Sequence, residues 1–304
     1  MQSPITLTIA IPTFNRGAAV LRRVREFIAL EIPDGIELLV IDNGSPDGTF
    51  DSLTAEFSDS AIRVLRNAEN IGFAANFLRL LEEADTDYVT VISDEDQLNL
   101  EGLLALRDFC ADKSPRFVSP RAQVGTNEQY RGRVVTREID PEEFELASFY
   151  LSGLTFRVSS AQDYAAITRA LIPANSAANV YPQALIAALS VAAGDSYFHD
   201  ALVSTQVEEL ETHIVEANGD GYYTVPSRWA QFIGYEEFFS GDFDVMLGTG
   251  GRVRLEAMRE KRRKVLLIQL ERAAISEFPD LKEHFSRYRS AKSSKGIMSR
   301  ILRR

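Results

Sequence analysis

The chain has 304 residues, 45% of them hydrophobic and 25% charged, with a net charge of −11. That is a globular composition, long enough for one large α/β domain or one domain with an appended subdomain, and it excludes a disordered chain. The single cysteine, Cys110, excludes an intramolecular disulfide framework and fits a reducing compartment, and the acidic balance argues against general nucleic-acid binding.

The opening stretch MQSPITLTIAIPTFNR has no basic region followed by a long apolar run, which predicts a chain without a signal peptide. Nowhere do ~18 uncharged apolar residues run together, so no membrane span is expected. No internal repeat is visible. The charge is unevenly spread. Residues 251–304 carry 16 Lys/Arg against 6 Asp/Glu, a net of +10, which leaves −21 on the first 250 residues. Such a basic tail on an acidic body suggests a separate task for the tail.

In chain order, ITLTIAI (5–11) reads as a buried strand ending at Pro12. Residues 17–30 follow a helical pattern with Leu21, Val24, Phe27 and Ile28 on one face. IELLVI (36–41) is a second strand, stopped by the dense turn signal Asp42-Asn43-Gly44-Ser45-Pro46-Asp47-Gly48. AIRVLR (61–66) is a third. Asn70-Ile71-Gly72 opens a helix with Phe73, Phe77, Leu80 and Leu81 in an apolar stripe, and YVTVIS (88–93) is a fourth strand. Strands alternating with helices predict an α/β, doubly wound, mostly parallel sheet of the Rossmann-like kind.

In such sheets ligands sit beyond the carboxyl ends of the strands. Four polar clusters stand there: Thr13-Phe14-Asn15-Arg16, Asp42-Asn43-Gly44, Arg66-Asn67, and Ser93-Asp94-Glu95-Asp96. Four donor- and acceptor-rich clusters on one rim predict a ligand cleft. Neither GxGxxG nor GxxxxGK[ST] follows the first strand, which removes the dinucleotide and P-loop readings. Two carboxylates separated by one residue, Asp94 and Asp96, suit Mg²⁺ or Mn²⁺, hard ions that bind carboxylates together with substrate phosphates. The combination predicts a nucleoside diphosphate held through a divalent metal.

The motifs IPTFNR (11–16), VIDNGSPDGT (40–49), NIGFAANF (70–77) and SDED (93–96) resemble, in order and spacing, the family 2 glycosyltransferases of the GT-A fold. The resemblance covers about the first hundred residues. It implies that Pro12 and Thr13 line the base pocket with Asn15 and Arg16 close by. Asp42 would meet the base edge, and Asn70, Gly72 and Asn76 the wall near base and ribose. Ser93 belongs to the same lip. Asp94 would contact ribose or metal, and Asp96 would be the direct ligand of Mn²⁺ or Mg²⁺. Glu95 is expected to turn away, on the alternation of an extended backbone.

The second half continues with a helix from Glu101 to Cys110, a strand RFVS (116–119), and a polar stretch (121–146) read as an edge hairpin or loop. FYLSGLTFR (149–157) resembles the segment that precedes the acceptor site, placing Ser152 and Gly153 near the sugar. Inverting members place a carboxylate ~90 residues past the metal motif at a helix start, since the acceptor hydroxyl must lose a proton as it attacks. Here the helix is expected over Tyr181 to Ala193, and its entry carries no Asp or Glu. Asp200 and Asp195 are the remaining acidic candidates for the base, with His199 a third. His213, in EELETHIVE, is the nearest candidate for a late metal ligand but reads better as a surface histidine. Residues 219–239 look aromatic-rich and irregular. Tyr222, Tyr223 and Trp229 could stack on an acceptor sugar, although core filling is the favoured reading.

Arg252 to Arg263 reads as a charged helix followed by VLLIQL (265–270). In the final stretch, 286–304, Ile297, Met298, Ile301 and Leu302 fall opposite Arg300, Arg303 and Arg304, a pattern suited to an anionic membrane surface. The organisation expected is a GT-A domain over 1–215, with a nucleotide half (1–100) and an acceptor half (101–215), then a helical extension over 216–304. The function expected is metal-dependent inverting transfer of a sugar from a nucleotide-sugar donor to a glycan or lipid-linked glycan acceptor. Its setting would be bacterial surface-polysaccharide synthesis, in the cytoplasm or peripherally on the inner face of the membrane. A nucleotidyltransferase and a non-catalytic relative are the alternatives.

Overall fold

The computed structural model describes residues 5–30, 32–58, 62–124, 135–207, 223–283 and 285–286. The first half is β1 (Leu7–Thr13), α1 (Gly17–Ala29), β2 (Ile36–Asp42), α2 (Thr49–Phe57), β3 (Ile62–Arg66), α3 (Phe73–Glu83) and β4 (Tyr88–Val91). Then come β5 (Asp96–Leu98), α4 (Leu100–Lys113), β6 (Phe117–Gln123) and β7 (Arg137–Glu138). A single 3₁₀ turn (Pro141–Glu143) leads to α5 (Phe144–Ser148), β8 (Thr155–Arg157), α6 (Val158–Leu171), α7 (Ser176–Val180) and α8 (Pro182–Ala193). The last described elements are β9 (Ser196–Gln206), α9 (Val225–Phe239) and α10 (Asp244–Glu277).

The strands form one sheet in the order β3-β2-β1-β4-β8-β6-β9-β5, with β7 on β9. β1 through β4 are mutually parallel, β8 runs against both β4 and β6, and β9 is parallel to β6. Helices cover both faces, so the strands are apolar on both sides and alternate between two cores. Leu7, Ile9, Ile11, Leu38 and Val40 face the layer that holds Val20, Val24, Leu53, Leu103 and Leu106. Ala10, Leu39, Ile41, Val89 and Val91 face the layer of Phe77, Leu81, Ala161, Leu185 and Leu189.

α8 is apolar on every side and almost wholly buried, because α10 closes over it: Gly251 lets the two backbones approach, and Arg254 Nε donates to the Ala192 carbonyl at 2.7 Å. α10 is kinked at Gly248, whose φ of 64° is non-helical, and the charged stretch and VLLIQL lie together in the helix that follows the kink.

Three expectations change here. Residues 225–239 are helical, started by Thr224, whose hydroxyl accepts from Ser227 N, and by Pro226 in the first turn. Tyr223 and Trp229 do not fill the core. They are 64% and 51% exposed, with Trp229 stacked on Phe232. Within 121–146, the strand β7 pairs with β9 rather than forming a local hairpin. His213, Tyr222 and the tail 287–304 lie outside the described residues.

Candidate active site

The parallel register sets Thr13 beside Asp42 and Asp42 beside Arg66, so three strand ends present their side chains along one rim. Asp42 is fully buried. Its two carboxylate oxygens accept from Ser45 N at 3.2 and 3.3 Å, and Arg66 Nε lies 3.4 Å from Oδ2. Arg66 is held in turn by the Ser45 carbonyl at 2.9 Å and by the ring of Phe50. The chain leaves β1 through Asn15, at a positive φ of 56°, whose N–H donates to Ser45 Oγ at 2.8 Å. Pro12 is half-buried beside it.

Behind this rim stands a ladder of amides. Asn67 Nδ2 donates to Asn43 Oδ1 and to Asn76 Oδ1, both at 2.8 Å, and Asn43 Nδ2 donates to Asn70 Oδ1 at 2.9 Å. Asn43 Oδ1 also accepts from Ile71 N, and Asn70 Oδ1 from Gly72 N, which fixes the entry to α3. Gly72 sits at φ 83°, open to space, where a side chain would be strained. Asn70, Gly72 and Asn76 thus cluster at the entry to α3. Asn43 and Asn67 join them as the hinge of the network.

The acidic corner lies at the end of β4. Asp94, Glu95 and Asp96 are all buried, at 5%, 6% and 2% exposure. Asp94 Oδ2 accepts from Thr13 Oγ1 at 2.7 Å, and Arg16 reaches both Asp94 Oδ1, at 3.4 Å, and Glu95 Oε1. Glu95 therefore does not turn away. The backbone is a turn here, with Asp96 N donating to the Ser93 carbonyl, so strand alternation does not apply. Burial pushes the Asp94 carboxyl up to about 6, against the opposing pull of Thr13 and Arg16. Burial also raises Asp96, opposed by hydrogen bonds from Ser152 and Tyr150. Tyr150 Oη lies 2.9 and 2.7 Å from the two oxygens of Asp96. Ser93 N donates to Ser152 Oγ at 2.8 Å, and Gly153 N to the Val91 carbonyl at 2.8 Å. Ser152 and Gly153 are stitched directly to the acidic corner.

Asp94, with Arg16 beside it, and Asp96 are two buried carboxylates at one corner of the site. Among the described residues no group of three or more His, Cys, Asp or Glu side chains is assembled for a metal. The two carboxylates are the kind of donor set taken by an ion that draws its other ligands from water and substrate oxygens, as Mg²⁺ and Mn²⁺ do.

The base candidates stand elsewhere. Asp195 precedes β9 at the amino rim, its carbonyl accepting from Arg116 N ahead of β6. Asp200 is exposed on β9 and accepts from Thr136 Oγ1. It sits mid-strand, where register shifts opposite Pro120–Arg121 and Arg121–Ala122 separate it from Gln206, the partner of Asp96. His199 is buried against the Phe109 ring and accepts from Ala201 N. Because α8 delivers the chain to the amino rim, its own start lies at the carboxyl rim. That start carries Tyr181, Pro182 and Gln183 and no carboxylate.

A polar rim joined to a buried acidic corner, at the carboxyl ends of a mixed sheet flanked by helices, is the arrangement of the GT-A class. The family model described as glycosyl transferase family 2 matches residues 8–162, and the chain belongs to that family: it is a glycosyltransferase. The match favours glycosyl over nucleotidyl transfer. A comparison with curated protein sequences finds no match. Among solved structures, S. aureus TarS 1-349 in complex with UDP-GlcNAc is similar, at 13% identity and a TM-score of 0.63, covering 86% of this chain and 73% of that one. The mannosyltransferase PcManGT from Pyrobaculum calidifontis, in complex with GDP-Man and Mn²⁺, is similar at 16% identity and a TM-score of 0.54, covering 91% and 76%. At these identities the likeness speaks for the fold.

Proposed function

We propose that the chain is a metal-dependent inverting glycosyltransferase that moves a sugar from a nucleotide-sugar donor to a glycan or lipid-linked glycan acceptor. The observation that carries this reading is the junction of two features at Thr13: the Asp42–Arg66 rim on one side and the buried Asp94–Asp96 corner on the other. Asp42 would accept from the base edge while the amide ladder braces the wall near the ribose. Arg16, already bridging Asp94 and Glu95, would hold positive charge beside the diphosphate. A divalent ion bound at Asp96 and Asp94 would supply Lewis-acid stabilisation of the departing diphosphate. The structural likeness to proteins solved with UDP-GlcNAc and with GDP-Man and Mn²⁺ supports a nucleotide sugar and a divalent ion.

An acceptor in surface-polysaccharide synthesis and a peripheral membrane location complete the reading. No helix among the described residues is long and apolar enough to cross a membrane. α10 exposes Lys261, Lys264 and Arg272 together with Leu267 and Ile268, and the sequence beyond it stays basic. That combination suits an anionic surface, where each basic residue contributes ~1 kcal/mol. Calorimetric titration with a panel of UDP-, GDP- and TDP-sugars, with and without Mn²⁺, tests the donor reading. Mn²⁺-enhanced binding of one of them is the expected result, and no binding of any contradicts it.

A further inference from the structure

The segment between α5 and β8, Phe149-Tyr150-Leu151-Ser152-Gly153, is tied down on three sides. Gly153 N donates to Val91 O and Ser93 N donates to Ser152 Oγ, while Ser204 Oγ donates to the Ser152 carbonyl at 3.2 Å. Gly153 itself requires φ 91°, and a Cβ there would stand 3.1 Å from Pro120 Cγ. A segment so fixed carries its side chains to fixed places. Two of them, Tyr150 and Ser152, offer hydroxyls to Asp96.

The other charges facing Asp96 are Glu95, which repels it, and Arg23, whose guanidinium is 2.9 Å from Glu26. Arg23 attracts Asp96 electrostatically, and the hydroxyls of Tyr150 and Ser152 supply hydrogen bonds to it. The contacts from Tyr150 are unequal: 2.7 Å to Oδ2 and 2.9 Å to Oδ1. A phenol that keeps the shorter contact leaves Oδ1 free to ligate an ion while Oδ2 stays pinned. Metal-ligating carboxylates are commonly oriented by such outer donors, and losing one costs roughly 10–100-fold in metal affinity.

We propose that Tyr150 is the positioning residue for the metal-binding carboxylate of Asp96, presenting Oδ1 by retaining the hydrogen bond to Oδ2. The assignment rests on the reading of Asp96 as a metal ligand. It makes the acceptor-side segment a structural part of the metal site, so that one rigid strap sets both.

The test is Tyr150→Phe, which removes only the hydroxyl. Free Mn²⁺ is followed by electron paramagnetic resonance as the ion is titrated into protein saturated with UDP and, separately, with GDP, with protein-free nucleotide as the blank. Binding of UDP and GDP without metal is measured alongside, as is the melting temperature. The expected result is Mn²⁺ uptake weakened ~10-fold with metal-free nucleotide binding unchanged. A structural defect would weaken both. Wild-type-like Mn²⁺ affinity in the variant, or a parallel loss of metal-free nucleotide binding, overturns the assignment of Tyr150 while leaving the metal reading intact. A wild-type protein that takes up no Mn²⁺ beyond the blank overturns both.

Discussion

Thr13 Oγ1 donates to Asp94 Oδ2 at 2.7 Å, joining the end of β1 to the turn after β4 across 81 residues of chain. The bond is buried and its acceptor is a carboxylate, the class of hydrogen bond worth about 1.5–3 kcal/mol. Thr13→Val keeps the shape and removes the donor. We expect unfolding in urea to show a loss of about 1–3 kcal/mol, together with weaker nucleotide binding. Unchanged stability would show that Asp94 finds another partner.

Gly44 occupies φ 73°, and a Cβ there would lie 2.5 Å from the carbonyl carbon of Glu69. Backbone on backbone cannot yield as a flexible side chain does. Gly44→Ala should therefore displace the segment that carries Asn67 and Asn70 and cost at least ~2 kcal/mol. Thermal melting checks this, and loss of nucleotide affinity should accompany it.

The buried Arg262 pairs with the half-buried Glu145, fastening α10 to α5, with the guanidinium 4.0 Å from the Tyr235 ring centre. Burial lowers the arginine to about 9. Removing one partner leaves a charge without compensation, so Glu145→Gln should cost about 3–5 kcal/mol. The double replacement Glu145→Leu with Arg262→Met should recover most of that loss. Chemical denaturation of the three proteins decides the matter.

Glu236 accepts from Arg263 at 2.6 Å and from Arg259 at 3.0 Å. Burial raises its pKa, and these hydrogen bonds outweigh that and hold it below its ordinary value. A carboxylate with a lowered folded pKa contributes stability that is complete above the unfolded value and lost as pH falls through the folded one. Glu236→Gln should thus lower the melting temperature at pH 7 by roughly 1–2 °C, since the partners are solvent-screened. As pH falls through the lowered folded-state value the difference should vanish. A difference that persists in acid would assign the effect to packing.

The strands of the nucleotide half could be read from the chain because they are buried on both faces and appear as unbroken apolar runs ended by polar clusters. β1, β2 and β3 stand within two residues of those runs. What the pattern could not carry was contact between distant segments. The hydroxyl of Tyr150 meets Asp96 across 54 positions, and no local signal marks it. Glu95 was misread because strand alternation was extended into a turn. Spacing along a chain does not say at which rim of a sheet a residue lands, and Asp195 stands at the amino rim, just before β9. α9 was hidden by its aromatic content, although Thr224-Val225-Pro226-Ser227 is a serviceable helix start.

In the proposed reaction the acidic corner holds a divalent ion that the donor needs. Turnover of the wild type and of Asp96→Ala, titrated with Mn²⁺ after removal of bound metal, tests it most directly with the nucleotide sugar that the calorimetric panel selects. The account predicts wild-type activity that is lost on chelation and restored by Mn²⁺, with Asp96→Ala lower by at least ~100-fold at every Mn²⁺ concentration, in line with the loss of one electrostatic stabiliser of the transition state. Full turnover by Asp96→Ala, or wild-type turnover indifferent to chelation, would contradict it.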